Sequence, residues 1–294
     1  MSETLIFHCE GRDHKIVLED VSGSETLKQL KEWLPAEITI HCAKIAGCHI
    51  YWPSPILAEL EQGTDIHSLK PGSFLYYPDR QYLEIIYDEL QAENASVTYL
   101  GRLEGDISWL REFATRQRKE AGSKTFTAKL RIESEKLLVD YPVMPVDKKI
   151  LSLRKQRQAV WAGEPDEVKK LLRNTGHNIP FGPIATADGY YRFVQESLWQ
   201  LWRRPERFSE SERRVAAINS IEVGISRIGH YCHLAQSEYF LQEAIACLNE
   251  TSLNVQEVFA EVILYCSRMS NWMDLHIPWY PANELTKRAL GRGE

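Results

Sequence analysis

Apolar and polar residues alternate along roughly the first 135 residues of the chain, and this period of two predicts β-strands. Turn-forming sequences such as KPGS and PDRQ separate several of these segments at close spacing, which favours an antiparallel sheet or barrel over βαβ units. Two short helices are predicted in the same part, at residues 24–33 and 107–120. The alternating segments are TLIFHCE, KIVLED, ITIHCAKI, CHIYW, SFLYYP, YLEIIYDE, SVTYLGRL and TFTAKLRIE.

From about residue 147 the apolar residues recur with a period near 3.6, which predicts helices to the end of the chain. Pro165 and the acidic residues after it mark one helix start. A long helical stretch is expected to break near Gly224 or Gly229. The pattern therefore predicts an α+β protein. Its parts are a β domain at 1–138, a proline-containing linker at about 139–146 and an all-α domain at 147–294.

Composition narrows the possible functions. The chain has 294 residues, of which 44% are hydrophobic, and its net charge of −6 creates no field that would gather nucleic acid or an anionic membrane. Six cysteines without a CxxC pair suit free buried thiols in a reducing compartment. The start lacks a secretion signal, and no run of eighteen apolar residues occurs, so a cytosolic protein without a membrane partner is expected.

The common cofactor signatures do not occur in the sequence. GxGxxG, GxxxxGK[ST] and GxSxG are all missing, which favours chemistry without a nucleotide cofactor or a nucleophile elbow. His230 and His233 have a spacing that a metal could use, but no third or fourth ligand is evident. We therefore interpret them as half-buried helix residues and predict no metal.

Glu84 is a candidate general base because it lies among apolar rings in YLEIIYDEL. Loss of hydration would raise the pKa of its carboxyl toward the useful range. Strand alternation supports the opposite interpretation, in which Glu84 shares a solvated face with Tyr82 while Leu83 and Ile85 form the core face. Both interpretations stay open on the residues alone.

Two further groups could contact a ligand. Lys44 stands in an apolar strand and would need a counter-anion such as a substrate carboxylate, unless it snorkels at a sheet edge. In HNIPFGPIATADGYYRF we expect a turn followed by a helix that Asp188 caps. This leaves His177, Asn178 and Arg192 either as ligand contacts or as groups that satisfy backbone polar atoms.

Several motifs resemble known families. Residues 1–134 resemble cyclophilin-like β-barrel domains of bacterial proteins, through AKIAGCHIYW, PGSFLYYP, YLEIIYDE and FTAKL. The segment GHNIPFGPIATADGYYRFVQESLWQLW is similar to the C-terminal region of cucumopine and mikimopine synthases. Together the halves resemble Pictet-Spengler enzymes, which include those opine synthases and bacterial β-carboline-forming enzymes related to marinacarboline biosynthesis. The resemblance implies a cyclophilin-like barrel followed by a helical domain.

The resemblance also implies a reaction that needs no metal, flavin or nicotinamide. An amino acid's amine attacks a carbonyl, water leaves, and the substrate's own aromatic ring captures the iminium before losing a proton. The family's barrel-strand glutamate corresponds best to Glu84, and Tyr82 or Tyr87 would relay a proton or orient the ring. Trp52 would stack on the ring.

The resemblance further implies that a cationic side chain binds the substrate carboxylate. Lys44 stands where relatives often have arginine, and it lacks bidentate geometry, so Arg80 and Arg102 are the other candidates. The remaining residues expected to close the pocket from the helical half are His177, Asn178, Asp188 and Arg192.

We therefore expect a cyclase that joins L-histidine to an α-keto acid such as 2-oxoglutarate, with L-tryptophan and an aldehyde or keto acid as the second choice. The alternative is a non-catalytic module that binds a small acid or a peptide, in which case Glu84 would face water. The aromatic helices are expected to form core and a homodimer interface.

Overall fold

The computed structural model describes residues 3–19, 24–43, 47–89, 94–133, 147–173 and 181–291. The chain divides into two compact units. One comprises Met1–Val139 together with Pro278–Glu294, and the other comprises Asp140–Ile277. The last segment of the chain thus groups with the β unit, although it follows the helical unit in sequence. The linker predicted at 139–146 lies outside the described residues.

The β unit is a closed antiparallel barrel. Eight strands follow one another in the order β2-β1-β9-β3-β4-β7-β6-β8, and pairing of β2 with β8 closes the ring, while the short β5 pairs with β8. This confirms the barrel that the resemblance implies. The strands are β1 Thr4–Cys9, β2 Arg12–Leu18, β3 Ala36–Cys42, β4 His49–Pro53, β5 Thr64–Asp65, β6 Ser73–Tyr77, β7 Tyr82–Ile86, β8 Ser96–Leu103 and β9 Phe126–Ile132.

Alternation along the strands fills the barrel interior. Ile50 and Trp52 of β4 and Leu83 and Ile85 of β7 belong to one hydrophobic cluster with the other core residues of the barrel. Closure depends on Gly101, because a β-carbon at this position would lie 2.2 Å from the carbonyl oxygen of Val17. A side chain there would force β2 and β8 apart.

Three helices belong to the same unit, α1 (Glu25–Trp33), α2 (Ser108–Lys119) and α9 (Trp279–Ala289). The Ser24 side chain accepts a hydrogen bond from the Leu27 amide and so caps α1. Apolar residues of α1 and α2 pack into the barrel core. Both helices confirm the sequence prediction.

The second unit is helical throughout its described part, as predicted. The expected break lies between α6 and α7, where a π-helical turn at Ile225–Tyr231 is followed by His233 with a φ of 59°. All six cysteines are free thiols, as predicted. Within the described ranges, no helix is both long and apolar enough to cross a membrane. The helices are α3 Lys148–Ala162, α4 Asp166–Arg173, α5 Phe181–Trp202, α6 Glu210–Gly224, α7 Ala235–Asn249 and α8 Val255–His276.

Candidate active site

Strand register places Glu84 on the outer face of the barrel wall. Glu84 of β7 stands directly opposite Tyr51 of β4, and Tyr51 stands opposite His41 of β3. Directly opposed residues of an antiparallel pair share a face, so these three side chains project to the same side. That side is opposite to the barrel core, as the alternation predicted. However, it is not solvated, because only 1% of Glu84 is exposed.

His49 lies beside Glu84 on this face. Its Nε2 is 3.8 Å from Oε2 of Glu84, which is too long for a hydrogen bond, and only 3% of His49 is exposed. Burial, and secondarily the charge of Arg118, lower the pKa of His49 to about 4. The imidazole is therefore neutral at pH 7 and lies beside the Glu84 carboxyl.

Stacked rings continue the same face. The rings of His41 and Tyr51 stack with centroids 4.9 Å apart, and those of Tyr51 and Tyr82 stack at 4.6 Å. All three residues are buried. Glu84 thus stands beside an aromatic wall, the column of three stacked rings that spans three neighbouring strands.

The two predicted catalytic tyrosines lie on opposite faces of β7 and its extension. Tyr82 belongs to the aromatic wall, whereas Tyr87 belongs to the barrel core cluster. The Tyr87 hydroxyl accepts a short hydrogen bond from Arg118 and lies 3.8 Å from the sulfur of Cys42. Burial, reinforced by Cys42, raises the pKa of Tyr87 above its ordinary value, so this hydroxyl stays protonated. Of the two, Tyr82 shares the face of Glu84.

Trp52 does not fit the expectation that it stacks on a substrate ring beside Glu84. It lies on the opposite face of the wall, fully buried in the barrel core between Phe7 and Phe74, with ring centroids 5.6 and 6.1 Å away. Alternation gives the reason, because Trp52 is one residue beyond Tyr51 and must point inward. Tyr51 is the ring of β4 that stands next to Glu84.

The predicted carboxylate-binding cations occupy different places. Arg80 is half-buried in the turn between β6 and β7, four residues before Glu84. Arg102 is exposed on β8 opposite Ser73, and β6 separates that strand from β7. Lys44 lies outside the described residues.

The expectation that Asp188 caps a helix is wrong. Helix α5 begins at Phe181, so Asp188 lies inside it, buried, where its carboxylate pairs with Arg192 at 3.0 Å and accepts a hydrogen bond from Ser270 at 2.7 Å. Burial raises the pKa of Asp188, with Arg192 opposing this shift and Asp274 adding to it. These contacts belong to the helical unit and explain Asp188 and Arg192 structurally.

Two other polar candidates of the helical half, His177 and Asn178, lie outside the described residues. His230 is 64% exposed, with Nε2 at 3.3 Å from Glu238. In the part of the chain that the structure describes, no three histidine, cysteine or acidic side chains are grouped as metal ligands would be.

Five residues near Glu84 or at the adjoining strand ends were not among those predicted from the sequence. His49 and Tyr51 had a signal, because they alternate in CHIYW and pairing with YLEII would put them on the face of Glu84. The remaining three residues had no signal in the sequence, because their positions depend on contacts between residues distant in sequence. They are His41, Arg118 and Tyr280.

Comparison with solved structures supports the fold. A structure of McbB in complex with tryptophan is similar with a TM-score of 0.77 at 18% identity, covering 96% of this chain and 99% of that one. The solution structure of the hypothetical protein AF2241 from Archaeoglobus fulgidus covers 44% of this chain and 94% of that one, with a TM-score of 0.34 and 15% identity. No protein-family model and no curated protein matches the chain. The similarity to McbB shows that the two chains share the fold of a β-barrel combined with helices.

Proposed function

We propose that the protein is a Pictet-Spengler cyclase, which condenses an aromatic L-amino acid with a keto acid or an aldehyde. The observation that carries this proposal is the buried carboxyl of Glu84 beside the stacked rings of His41, Tyr51 and Tyr82. The motif resemblance to cyclising enzymes supports it. The shared fold with McbB, whose structure holds tryptophan, supports an aromatic amino acid as one substrate.

The proposed reaction forms two bonds and releases one water. The substrate amine adds to the carbonyl carbon, and loss of water leaves an iminium. A ring carbon of the same substrate attacks the iminium carbon, which closes the new ring and leaves the attacking carbon with an extra hydrogen. Removal of that hydrogen as a proton returns the electron pair of the C–H bond to the ring and restores its aromaticity.

Glu84 is the proposed acceptor of this proton. A carboxylate held away from water is a stronger base than a solvated one, because burial disfavours its charged form. The aromatic wall would hold the substrate ring beside the carboxylate, so that orientation supplies part of the rate enhancement.

Two substrate pairs are proposed. The motif that resembles cucumopine and mikimopine synthases favours L-histidine with 2-oxoglutarate. The tryptophan held by McbB favours L-tryptophan with an aldehyde or keto acid. Both rings are planar and could extend the same column of stacked rings at one of its ends.

The non-catalytic binding hypothesis is the weaker alternative. It expects Glu84 to face water, and a residue with 1% exposure does not meet that expectation.

Mass spectrometry tests the proposal. Purified protein is incubated with L-histidine and 2-oxoglutarate, and separately with L-tryptophan and a panel of aldehydes and keto acids. We expect a product whose mass is the sum of the two substrates less one water, formed faster than in a protein-free control. Absence of enzyme-dependent product across the whole panel, with binding of either amino acid retained, would favour the binding module.

A further inference from the structure

Arg118 occupies an unusual environment near the C-terminal end of α2. Its guanidinium donates to the Tyr87 hydroxyl and lies over two rings, 5.5 Å from the centroid of Tyr87 and 5.9 Å from that of Tyr280. The Tyr280 hydroxyl donates to the backbone carbonyl of Ala43 at 2.9 Å. This bond ties α9 to the end of β3, so one cation is bracketed by two tyrosine rings from different parts of the β unit.

No carboxylate of the described residues pairs with Arg118. Its neighbours on the same helix differ, because Arg111 pairs with Asp88 at 3.2 Å and Arg116 pairs with Glu10. The Nε atom of Arg118 is buried and has no hydrogen-bond partner. Arg118 as a whole is half-buried, and its guanidinium is charged at every physiological pH, so an anion bound beside it would be stabilised.

The Arg118 cluster lies at the strand ends that carry the candidate active site. Tyr87 follows Glu84 by three residues, and its amide donates to the carbonyl of Cys48, the residue just before His49. His49 in turn lies 3.8 Å from Glu84. The cation therefore stands close to the edge from which β4 and β7 present the proposed base.

We propose that Arg118, bracketed by Tyr87 and Tyr280, is an anion site that binds a carboxylate of a substrate. A planar guanidinium offers paired N–H donors that match the two oxygens of a carboxylate. The two rings hold the guanidinium in place, because a cation is attracted to an aromatic face. The identity of the ligand rests on the proposed function, whereas the anion site itself rests on the environment of Arg118.

Two substrates could supply the carboxylate, the amino acid or the keto acid. Calorimetric titrations with L-tryptophan, L-histidine and 2-oxoglutarate distinguish them when the wild type is compared with Arg118→Gln. Tryptamine, which keeps the ring and the amine of tryptophan but lacks the carboxylate, is the matched ligand. Arg116→Gln is the matched control variant, because it removes an arginine from an exposed position of the same helix.

We expect Arg118→Gln to weaken binding of one of the carboxylate ligands by about tenfold or more, because the variant loses a charge-assisted bidentate contact. Binding of tryptamine should not change, and Arg116→Gln should behave as the wild type. Arg118→Lys, which keeps the charge but not the paired donors, should recover part of the affinity. It also serves as the test if Arg118→Gln does not fold.

Three results would overturn the anion site. They are unchanged affinity of the variant for all three carboxylates, an equal loss of affinity for tryptamine, and no binding of any carboxylate by the wild type. The outcome is separable from the proposed function. Arg118-dependent binding without any condensation product would support the anion site and contradict the cyclase. Condensation that Arg118→Gln does not affect would support the cyclase and contradict the anion site.

Discussion

Protonation of His49 should lower the free energy of unfolding more than protonation of an ordinary surface histidine does. The folded chain binds this proton less tightly than the unfolded chain, so stability is fully present above about pH 6.5 and is lost as the pH falls toward about 4. With those two pKa values, linkage gives about 2.5 kcal/mol more stability at about pH 7.5 than at about pH 4.5. Glutamine at this position cannot titrate.

The assay compares urea-unfolding free energies of the wild type and His49→Gln across this pH range. Titrating groups that do not contact His49 are common to both proteins and cancel in the difference. We expect the free energy of unfolding of the wild type, relative to that of His49→Gln, to fall by about 2.5 kcal/mol between about pH 7.5 and about pH 4.5. A difference that stays constant with pH would refute the buried, neutral imidazole.

Two stability predictions concern other parts of the barrel unit. Burial raises the pKa of Glu61, but hydrogen bonds from Ser24 and Thr26 at the start of α1 outweigh it and hold the pKa below its ordinary value. Glu61→Gln should therefore cost about 1 to 2 kcal/mol near neutral pH, and less as the pH falls through the folded pKa, measured by urea unfolding. Gly101→Ala should cost about 3 kcal/mol and lower the Tm, because its β-carbon would meet the backbone of Val17; a Tm equal to that of the wild type would contradict the close approach.

The fold could be predicted from the sequence because it depends mainly on local patterns. Alternation placed Leu83 and Ile85 in the core and Glu84 on the other face, and the structure agrees. The burial of that other face could not be predicted. A period of two shows which residues share a side of a sheet, but whether water reaches that side depends on contacts distant in the sequence.

The error at Asp188 has a similar origin. An aspartate before a glycine and an aromatic run is a good cap signal, but the helix begins earlier, at Phe181. Inside α5 the carboxylate is stabilised by Arg192 one turn later and by Ser270 of α8. The partner in α8 lies 82 residues away along the chain, beyond the reach of any local pattern.

The candidate site shows the same division between local and distant information. Glu84 could be found because a carboxylate among apolar rings is conspicuous in any sequence. Arg118 and Tyr280 could not, because α2 and α9 come together only in the folded unit, where both rings and the cation meet. The pairing of Tyr51 with Glu84 could be predicted only in part. Alternation shows which face each residue lies on, but the strand register is needed to place one opposite the other.

We propose above that Glu84 removes the ring proton of the cyclised substrate. It is tested most directly by single-turnover product formation with the wild type, Glu84→Gln and Glu37→Gln, the last being an exposed glutamate on β3 of the same barrel. We expect the rate to fall by at least about 100-fold for Glu84→Gln, with amino acid binding and Tm retained, and to stay unchanged for Glu37→Gln. Turnover of Glu84→Gln within a few-fold of the wild type would contradict it.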